Sequence, residues 1–191
     1  MTRTPKTPAA ERRQPVHTVY GGAQLFRADT ARRLGERALA ALAEHAPDAA
    51  DLARAIGFDG SLAETVYARV GEKLRREPVE DLRIDFEDGY GHRSDAEEDG
   101  HSRSTAREVA KGNEAGTLPP YLGIRIKPLS TELRGRALRT LELFVAELVE
   151  TGGGRLPPGF VVTLPKITAP AEVRALASAL AGLESRLGLA A

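Results

Sequence analysis

Three carboxylates stand close together in the segment LRIDFEDGYG: Asp85, Glu87 and Asp88. They end a run in which apolar residues occupy alternate positions, as in a half-buried strand: Leu82, Ile84 and Phe86. Carboxylates at the end of such a strand repel one another, and burying an ion costs several kcal/mol even after the protein relaxes. Cations must offset this charge, so the cluster indicates a site that binds a hydrated cation or pairs with basic side chains.

Basic residues stand at the ends of two later apolar runs. Arg125 and Lys127 belong to the run GIRIKPL, and Lys166 belongs to the run VVTLPKI. Strand alternation puts Asp85 and Glu87 on one face of the acidic strand. It puts Arg125 and Lys127 on the corresponding face of the next strand. A purely structural ion-pair network has the same appearance, but acids facing bases at strand ends favour a site for a small anion or a hydrated cation.

Four apolar runs with strand character alternate with helical patterns along the chain. Strands are predicted over 16–26, 81–88, 121–129 and 160–167, and helices over 31–46, 62–77, the second half of 91–116, 131–150 and 170–187, with a short helix capped by Asp48. The connections are too long for hairpins, so parallel strands covered by helices are expected. This α/β pattern suits a (β/α) barrel or a doubly wound sheet, and both place the active site at the C-terminal strand ends. No G-x-G-x-x-G follows a strand, which weakens the dinucleotide-binding version.

Two polar segments carry start signals for helices. The motif SLAE is a predicted capping box, with Ser61 at the cap and Glu64 three residues on. In GHRSDAEEDGH, Asp95 and Glu98 are predicted to cap the helix that follows. The acids and histidines of that segment would also suit a metal cluster. A solvated loop with an acidic helix start is the preferred interpretation, because acids favour the positive end of the helix dipole.

The composition excludes several classes of function. The 191 residues include 27 Lys and Arg and 27 Asp and Glu, so no overall charge favours a nucleic acid or a membrane surface as partner. Cysteine is absent, which excludes disulfides and thiol chemistry and fits a cytoplasmic protein. No apolar run approaches the roughly 18 residues of a membrane span. Residues 1–14 lack the apolar core of a secretory signal and are predicted to form a flexible tail.

Three of these segments together resemble one known family. IDFEDGYG resembles the strand-2 D-L-E-D signature of the citrate lyase β-subunit and 2-keto acid aldolase superfamily (the HpcH/HpaI group). GIRIKPL resembles its strand-3 Arg, usually R-x-N, and VVTLPKI resembles its strand-4 L-P-K, in the same order over about residues 16–187. The resemblance implies a (β/α)8 barrel, with Mg²⁺ or Mn²⁺ as cofactor. Its substrate would be a 2-oxo acid or a CoA thioester, in which a carbon–carbon bond forms or breaks through an enolate.

The resemblance also assigns roles to the acidic residues. Glu87 and Asp88 would hold or orient water molecules on the metal ion, as outer-sphere contacts, and Asp85 would support that shell. Asp85 and Glu87 are thereby expected to be catalytic, as is Lys166, which would add positive charge near the substrate. The ion would stabilise the developing enolate as a Lewis acid.

Substrate binding is assigned to a second group of residues. By the resemblance, Arg125 would bind the substrate carboxylate or the enolate oxygen, because its guanidinium fork matches a carboxylate bidentately. Gly21 and Gly22 end the first strand. They would either let a substrate approach the backbone or form a plain tight turn.

The sequence departs from the family pattern in three respects. Strand 3 reads R-I-K, so the usual Asn contact is in doubt. The segment 27–80 is longer than one crossover helix needs, which predicts a helical insertion between strands 1 and 2. The chain contains about four βα units, whereas a full barrel needs roughly 250 residues. Residues 15–191 are therefore expected to form the N-terminal half of a barrel, with the direct metal ligands beyond residue 191.

Three functions are compatible with the sequence. The first is a metal-dependent carbon–carbon lyase or aldolase. The second is a non-catalytic half-barrel, either a binding or assembly module or a truncated inactive copy. The outer edges of strands 1 and 4 would then pair with a second half-barrel or form a homo-oligomer. The third is an enzyme that uses phosphoenolpyruvate on a related barrel.

Overall fold

A four-stranded parallel sheet forms the centre of the computed structural model, which describes residues 13–189. The strands are β1 (Thr18–Gly22), β2 (Asp81–Asp85), β3 (Tyr121–Arg125) and β4 (Val161–Thr163). The helices are α1 (Thr30–His45), α2 (Ala49–Ile56), α3 (Ala63–Arg76), α4 (Asp95–Ala115), α5 (Arg134–Thr151) and α6 (Pro170–Leu187). The strands lie side by side in sequence order, and every pair is parallel. The predicted α/β class with helical crossovers is confirmed.

The register of the sheet sorts its side chains onto two faces. The apolar side chains of β2 and β3 share the face that packs in the core: Leu82, Ile84, Leu122 and Ile124. The opposite face, here called the polar face, carries Asp81, Arg83, Asp85 and Arg125. Gly22, Asp85, Arg125 and Thr163 are aligned across all four strands at their C-terminal ends. The alternation predicted for β2 is therefore confirmed.

The core lies between the apolar face of the sheet and the helices. Phe144 of α5 is fully buried and packs edge-on against Phe86, with ring centroids 6.1 Å apart. It also stacks on Phe160, just before β4, at 5.9 Å. Aromatic pairs of this kind contribute about 0.5–1.5 kcal/mol beyond the area that they bury. Helix α5 thus ties the middle of the sheet to its β4 edge.

Three helices occupy the long connection between β1 and β2. The predicted cap of the short helix α2 is confirmed, because Asp48 accepts a hydrogen bond from the amide of Asp51 at 2.8 Å. Helices α2 and α3 enclose a small apolar cluster of their own: Ala49, Ala53, Ala63, Phe58 and Tyr67. Helix α1 approaches the chain closely at Gly35, where a Cβ atom would lie 2.7 Å from the Pro78 ring. The connection is therefore a packed helical layer.

The strands are shorter than the sequence predicted. β2 was expected to reach Asp88 but ends at Asp85. The cause is local, because the Asp85 carboxylate accepts hydrogen bonds from the amides of Glu87 and Gly89 and turns the chain out of the sheet. β3 likewise ends at Arg125. Residues after each of these points lose the strict alternation of a strand, which matters for where their side chains go.

Two of the predicted helix caps are wrong. Helix α3 begins at Ala63 without a side-chain cap, and the turn before it is held by Asp59, which accepts from the amide of Ser61. Helix α4 is capped by Ser94, whose hydroxyl accepts from the amide of Glu97 at 3.3 Å. The Glu97 carboxylate accepts in return from the amide of Ser94 at 3.0 Å. The capping box therefore lies one residue before the predicted pair, Asp95 and Glu98.

The two ends of the chain fall partly outside the described residues. Of the tail predicted over 1–14, residues 1–12 lie outside them, as do residues 190 and 191. Arg13 is held in place, because it forms a salt bridge with Glu77 and its carbonyl accepts from the Tyr121 hydroxyl. Between residues 13 and 189, no helix has the length and apolar character needed to cross a membrane.

The two capping motifs can be compared by mutation. Ser94→Ala is expected to lower the free energy of unfolding by about 1 kcal/mol, because the first turn of α4 loses its cap. Ser61→Ala is the matched control, with an expected change within about 0.5 kcal/mol. Urea unfolding followed by circular dichroism measures both. A larger loss for the Ser61 variant would contradict the capping described here.

Candidate functional site

The carboxylate of Asp85 is the centre of the candidate site. It is buried, and it accepts from the amides of Glu87 at 2.8 Å and Gly89 at 2.7 Å. Arg125 donates to it from two nitrogens, Nε at 2.8 Å and Nη2 at 2.5 Å. A carboxylate has about four lone-pair positions. Asp85 therefore has no free position, and its role is to hold Arg125 and the turn that follows β2.

The pairing of Asp85 with Arg125 favours the charged form of each side chain. Burial by itself raises the pKa of Asp85, but the hydrogen bonds from Arg125 and from the two amides outweigh it and bring the pKa below its ordinary value. The same hydrogen bond raises the pKa of Arg125. The guanidinium also lies over the ring of Tyr20 on β1, 4.4 Å from the ring centroid. Arg125 is thus fixed by neighbours on two strands.

Glu87 faces Arg125 from the turn after β2. Its Oε2 atom lies 3.4 Å from Arg125 Nη1, and its Oε1 atom forms a salt bridge with Lys166. The side chain is buried, and Oε2 has no hydrogen-bond partner among the described residues. An unpaired oxygen of a buried carboxylate is costly. This oxygen therefore has unused hydrogen-bonding capacity next to the Arg125 guanidinium.

Lys166 and Asp88 close the exposed side of the cluster. Lys166 Nζ donates to Asp88 at 2.9 Å as well as to Glu87. The hydrogen bond from Lys166 lowers the pKa of Asp88, and the bonds to Glu87 and Asp88 raise the pKa of Lys166. Lys166 has a φ angle of +50°. Residues other than glycine rarely adopt a positive φ angle, and such backbone strain often marks a functional position.

Gly22 lets the turn after β2 approach the end of β1. A Cβ atom on Gly22 would lie 2.3 Å from the carbonyl oxygen of Gly89, so no larger residue fits without a backbone shift. Gly21 has nothing within 4 Å of the same position. The two predicted substrate-binding glycines therefore differ. The structure assigns Gly22 a packing role, and Gly21 stays a predicted contact for substrate.

A second charged pair, Asp81 and Arg83, lies on the polar face nearer the start of β2. Asp81 accepts from the Thr18 hydroxyl at 2.9 Å and from Arg83 Nη2 at 2.8 Å. Arg83 lies over Gly123, where a Cβ atom would come within 2.6 Å of its Nη1. Asp81 Oδ1 and Arg83 Nη1 are both buried and lack a hydrogen-bond partner within residues 13–189. This pair therefore retains one unused hydrogen-bond acceptor, on Asp81, and one unused donor, on Arg83.

Lys127 does not lie where the sequence predicted. Alternation placed it beside Arg125 on the polar face, but β3 ends at Arg125 and Lys127 turns toward α4. Its Nζ atom donates to Glu98 at 2.7 Å and to the Phe86 carbonyl at 2.8 Å. Glu98 was predicted as part of the α4 cap, and its burial as the partner of Lys127 was missed. Its spacing to the other buried residues of α4 was the available signal: Ser102, Thr105, Ala106 and Val109.

The fit of a divalent metal ion is partial. Across the described part of the chain, no three His, Cys, Asp or Glu side chains are arranged to hold a metal ion. The acids and histidines at 92–101, for which a solvated loop with an acidic helix start was the preferred interpretation, form no such group either. All lone-pair positions of Asp85 are occupied, whereas one buried oxygen of Glu87 lacks a hydrogen-bond partner among the described residues and Asp88 is exposed. Glu87 and Asp88 suit contacts to metal-bound water, and they do not make up a complete set of direct ligands.

Two cavities lie near the sheet. One of about 590 Å³ is at the opposite end of the strands from the charged cluster, against Pro78 and Pro119. A groove of about 420 Å³ runs along the outer side of β1 and includes Tyr20 and Gly21. Tyr20 is shared with the Arg125 stack, so this groove reaches the edge of the site.

The fold and the charged row define an α/β protein with a carboxylate–guanidinium cluster at the C-terminal edge of a parallel sheet. The family described as domain of unknown function DUF6986 matches residues 5–191, and the chain belongs to this family. No curated protein and no solved structure matches the chain. The roles of the individual site residues therefore rest on their geometry.

Gly22→Ala is expected to destabilise the protein by about 2 kcal/mol, the usual cost of forcing a methyl group into a packed position. Gly21→Ala is the matched control. It is expected to leave stability unchanged or to raise it by up to about 1 kcal/mol, through the less flexible unfolded chain. Urea unfolding of the two variants tests this. A Gly22 variant as stable as the Gly21 variant would refute the close contact between β1 and the turn.

Proposed function

We propose that the protein is a metal-dependent carbon–carbon lyase or aldolase that acts on a 2-oxo acid or an acyl-CoA thioester through an enolate. The observation that carries the proposal is the pair of Asp85 and Arg125. It fixes the guanidinium beside a second buried carboxylate, Glu87, whose Oε2 atom has no hydrogen-bond partner among the described residues. The sequence resemblance to the citrate lyase and aldolase superfamily adds the reaction type.

Arg125 retains binding capacity after it pairs with Asp85. Asp85 takes Nε and one hydrogen of Nη2, and Nη1 makes only a longer contact to Glu87. A carboxylate or an enolate oxygen suits this remaining edge, because guanidinium groups bind planar oxyanions well. When the carbon–carbon bond breaks, its electron pair passes to the enolate, and Arg125 would stabilise the oxygen that takes up the charge. Asp85 acts as the positioning residue for Arg125.

The charge balance of the cluster supports an additional cation. Asp85, Glu87 and Asp88 carry three negative charges, and Arg125 and Lys166 carry two positive ones, which leaves a net charge of −1. A divalent ion would turn this into +1, a suitable value for an anionic substrate. Mg²⁺ would supply Lewis-acid stabilisation of the enolate. Glu87 and Asp88 would hold its water molecules, while Lys166 orients both carboxylates.

The barrel assignment is part of the same proposal. Four parallel strands follow one another in sequence order, and the helices pack on the apolar face. In a (β/α)8 barrel, side chains from one face of the sheet fill the interior. Asp85, Arg125 and Arg83 share the polar face and would point into such an interior.

A second candidate function is a binding or assembly module that pairs with another half-barrel. It is favoured by the unfilled atoms of the polar face, Asp81 Oδ1 and Arg83 Nη1. Tyr20 and Val161 are also exposed on this side, at 46% and 39%. Within the described residues, β1 and β4 each pair with a strand on one side only. Such edges are templates for additional strands.

Arg125→Lys tests the enzymatic proposal, because it keeps the positive charge and removes the guanidinium group that binds a carboxylate with two nitrogens. The affinity for pyruvate in the presence of Mg²⁺ is expected to fall at least about tenfold, the effect of losing one charge-assisted hydrogen bond. Arg139→Lys, on α5 and paired with Asp99, is the control and should bind as the wild type does. Isothermal titration calorimetry measures the three proteins. Equal binding by the Arg125 variant would refute its assignment.

Sedimentation velocity at low and high protein concentration tests the assembly function. If β1 and β4 pair with further strands of a second copy, the sedimentation coefficient is expected to rise with concentration. Asp81→Asn with Arg83→Met would weaken that association, since both unfilled atoms are changed. A well-folded monomer at every concentration would count against this function and would leave the enzymatic proposal untouched.

A further inference from the structure

A buried ionic cluster lies behind the turn that carries Glu87 and Asp88. Lys127 Nζ donates to Glu98 Oε2 at 2.7 Å, and these side chains are only 14% and 2% exposed. The other oxygen of Glu98 accepts from the Thr140 hydroxyl of α5 at 2.6 Å. Arg136 Nε lies 3.5 Å from the same oxygen. Glu98 of α4 thus binds the lysine, and side chains of α5 hold Glu98 in place.

Stability alone does not account for this cluster. Replacing a buried ion pair by apolar residues of similar volume is often neutral or stabilising. What such residues would not replace is the third contact, from Lys127 Nζ to the carbonyl oxygen of Phe86 at 2.8 Å. The cluster is therefore best understood by what it does to the backbone at Phe86.

Phe86 is the residue at which the chain leaves the sheet. Its amide makes a last strand-type hydrogen bond to the carbonyl of Arg125 at 2.9 Å. Its carbonyl is held by Lys127, so both sides of the residue are tied to the β3 segment. Glu87 follows directly, and its own amide donates to Asp85. The direction of the Glu87 side chain therefore depends on the Phe86 carbonyl.

We propose that Lys127 is a positioning residue for the candidate site. Anchored by Glu98, which Thr140 holds in turn, it fixes the Phe86 carbonyl and thereby sets the turn that presents Glu87 and Asp88 to Arg125 and Lys166. The effect on ligand binding rests on the proposed function, whereas the effect on the turn does not.

Contacts at the far end of the turn are consistent with this role. Lys127 Nζ also lies 5.1 Å from the ring centroid of Tyr90, within the range of a cation–π interaction. The Tyr90 hydroxyl is 2.7 Å from Nδ1 of His101 on α4. The amide of Tyr90 donates to the carbonyl of Glu87. One lysine therefore contacts both ends of the turn.

The test uses a double variant, Lys127→Met with Glu98→Gln. Lys127→Met alone would leave a buried carboxylate without its cation and would put the fold at risk. In the double variant the amide introduced by Glu98→Gln is neutral and still accepts from Thr140. Lys111→Met, at an exposed position on the same α4, is the control. Amide hydrogen exchange at residues 87 and 89 and calorimetric binding of pyruvate with Mg²⁺ are measured for each protein.

We expect exchange at residues 87 and 89 to be at least about tenfold faster in the double variant, and binding to be at least about tenfold weaker, with a Tm close to that of the wild type. Unchanged exchange would overturn the inference. Faster exchange with wild-type affinity would overturn the link to the site. A wild type that binds no pyruvate would overturn the proposed function instead, and the exchange result would still decide whether Lys127 holds the turn.

Discussion

The rest of the candidate site depends on the four hydrogen bonds accepted by Asp85. Two come from amides of the following turn, and they end β2 and fold the chain back over its own strand. The other two come from Arg125, and they join β2 to β3 and fix the plane of the guanidinium. One buried carboxylate therefore both shapes the turn after β2 and orients the Arg125 guanidinium. Removing it would leave two unsatisfied amides and a guanidinium whose remaining carboxylate contact is the longer one to Glu87, a combination that proteins tolerate poorly.

The two faces of the sheet have different roles: the apolar face stabilises the fold, and the polar face carries the candidate site. The apolar face packs against the helices through Leu82, Ile84 and Phe144, and supplies the favourable burial that folding requires. The polar face offsets part of that stabilisation, because burying ions costs free energy even when they are paired. One atom each of Asp81, Arg83 and Glu87 still has no hydrogen-bond partner among the described residues. Unfilled capacity of this kind fits a surface that binds something, a ligand or further strands.

The turn after β2 lies between two ionic clusters. On one side Arg125 and Lys166 contact its carboxylates, and on the other Lys127 holds its backbone with the help of Glu98. A turn fixed from both sides presents its side chains with little loss of entropy when a ligand binds. This arrangement gives a physical reason for the R-I-K sequence at the end of β3, in which the residue two after Arg125 is a lysine.

Much of the fold and the middle of the site could be predicted from sequence, because both depend on short-range periodicity. Alternation separated Ile84 from Asp85, and the long connections indicated parallel strands. The same alternation was wrong at Lys127, since β3 ends two residues earlier and nothing local marks that point. The cap of α4 was predicted at Asp95 with Glu98 and lies at Ser94 with Glu97, because two overlapping pairs of residues suit a cap and the exact start of the helix selects one of them.

The sequence by itself determined which residue types stand at the strand ends and which face of each strand they occupy, because these follow from the two-residue period of a strand. The tertiary structure alone decided the pairing of Asp85 with Arg125, the burial of Glu98 and the closeness of Gly22 to Gly89. Each of these joins groups that are far apart along the chain or depends on the exact point at which a strand ends. Contacts of this kind arise when entire helices and strands pack together, and a local sequence pattern contains no information about that packing.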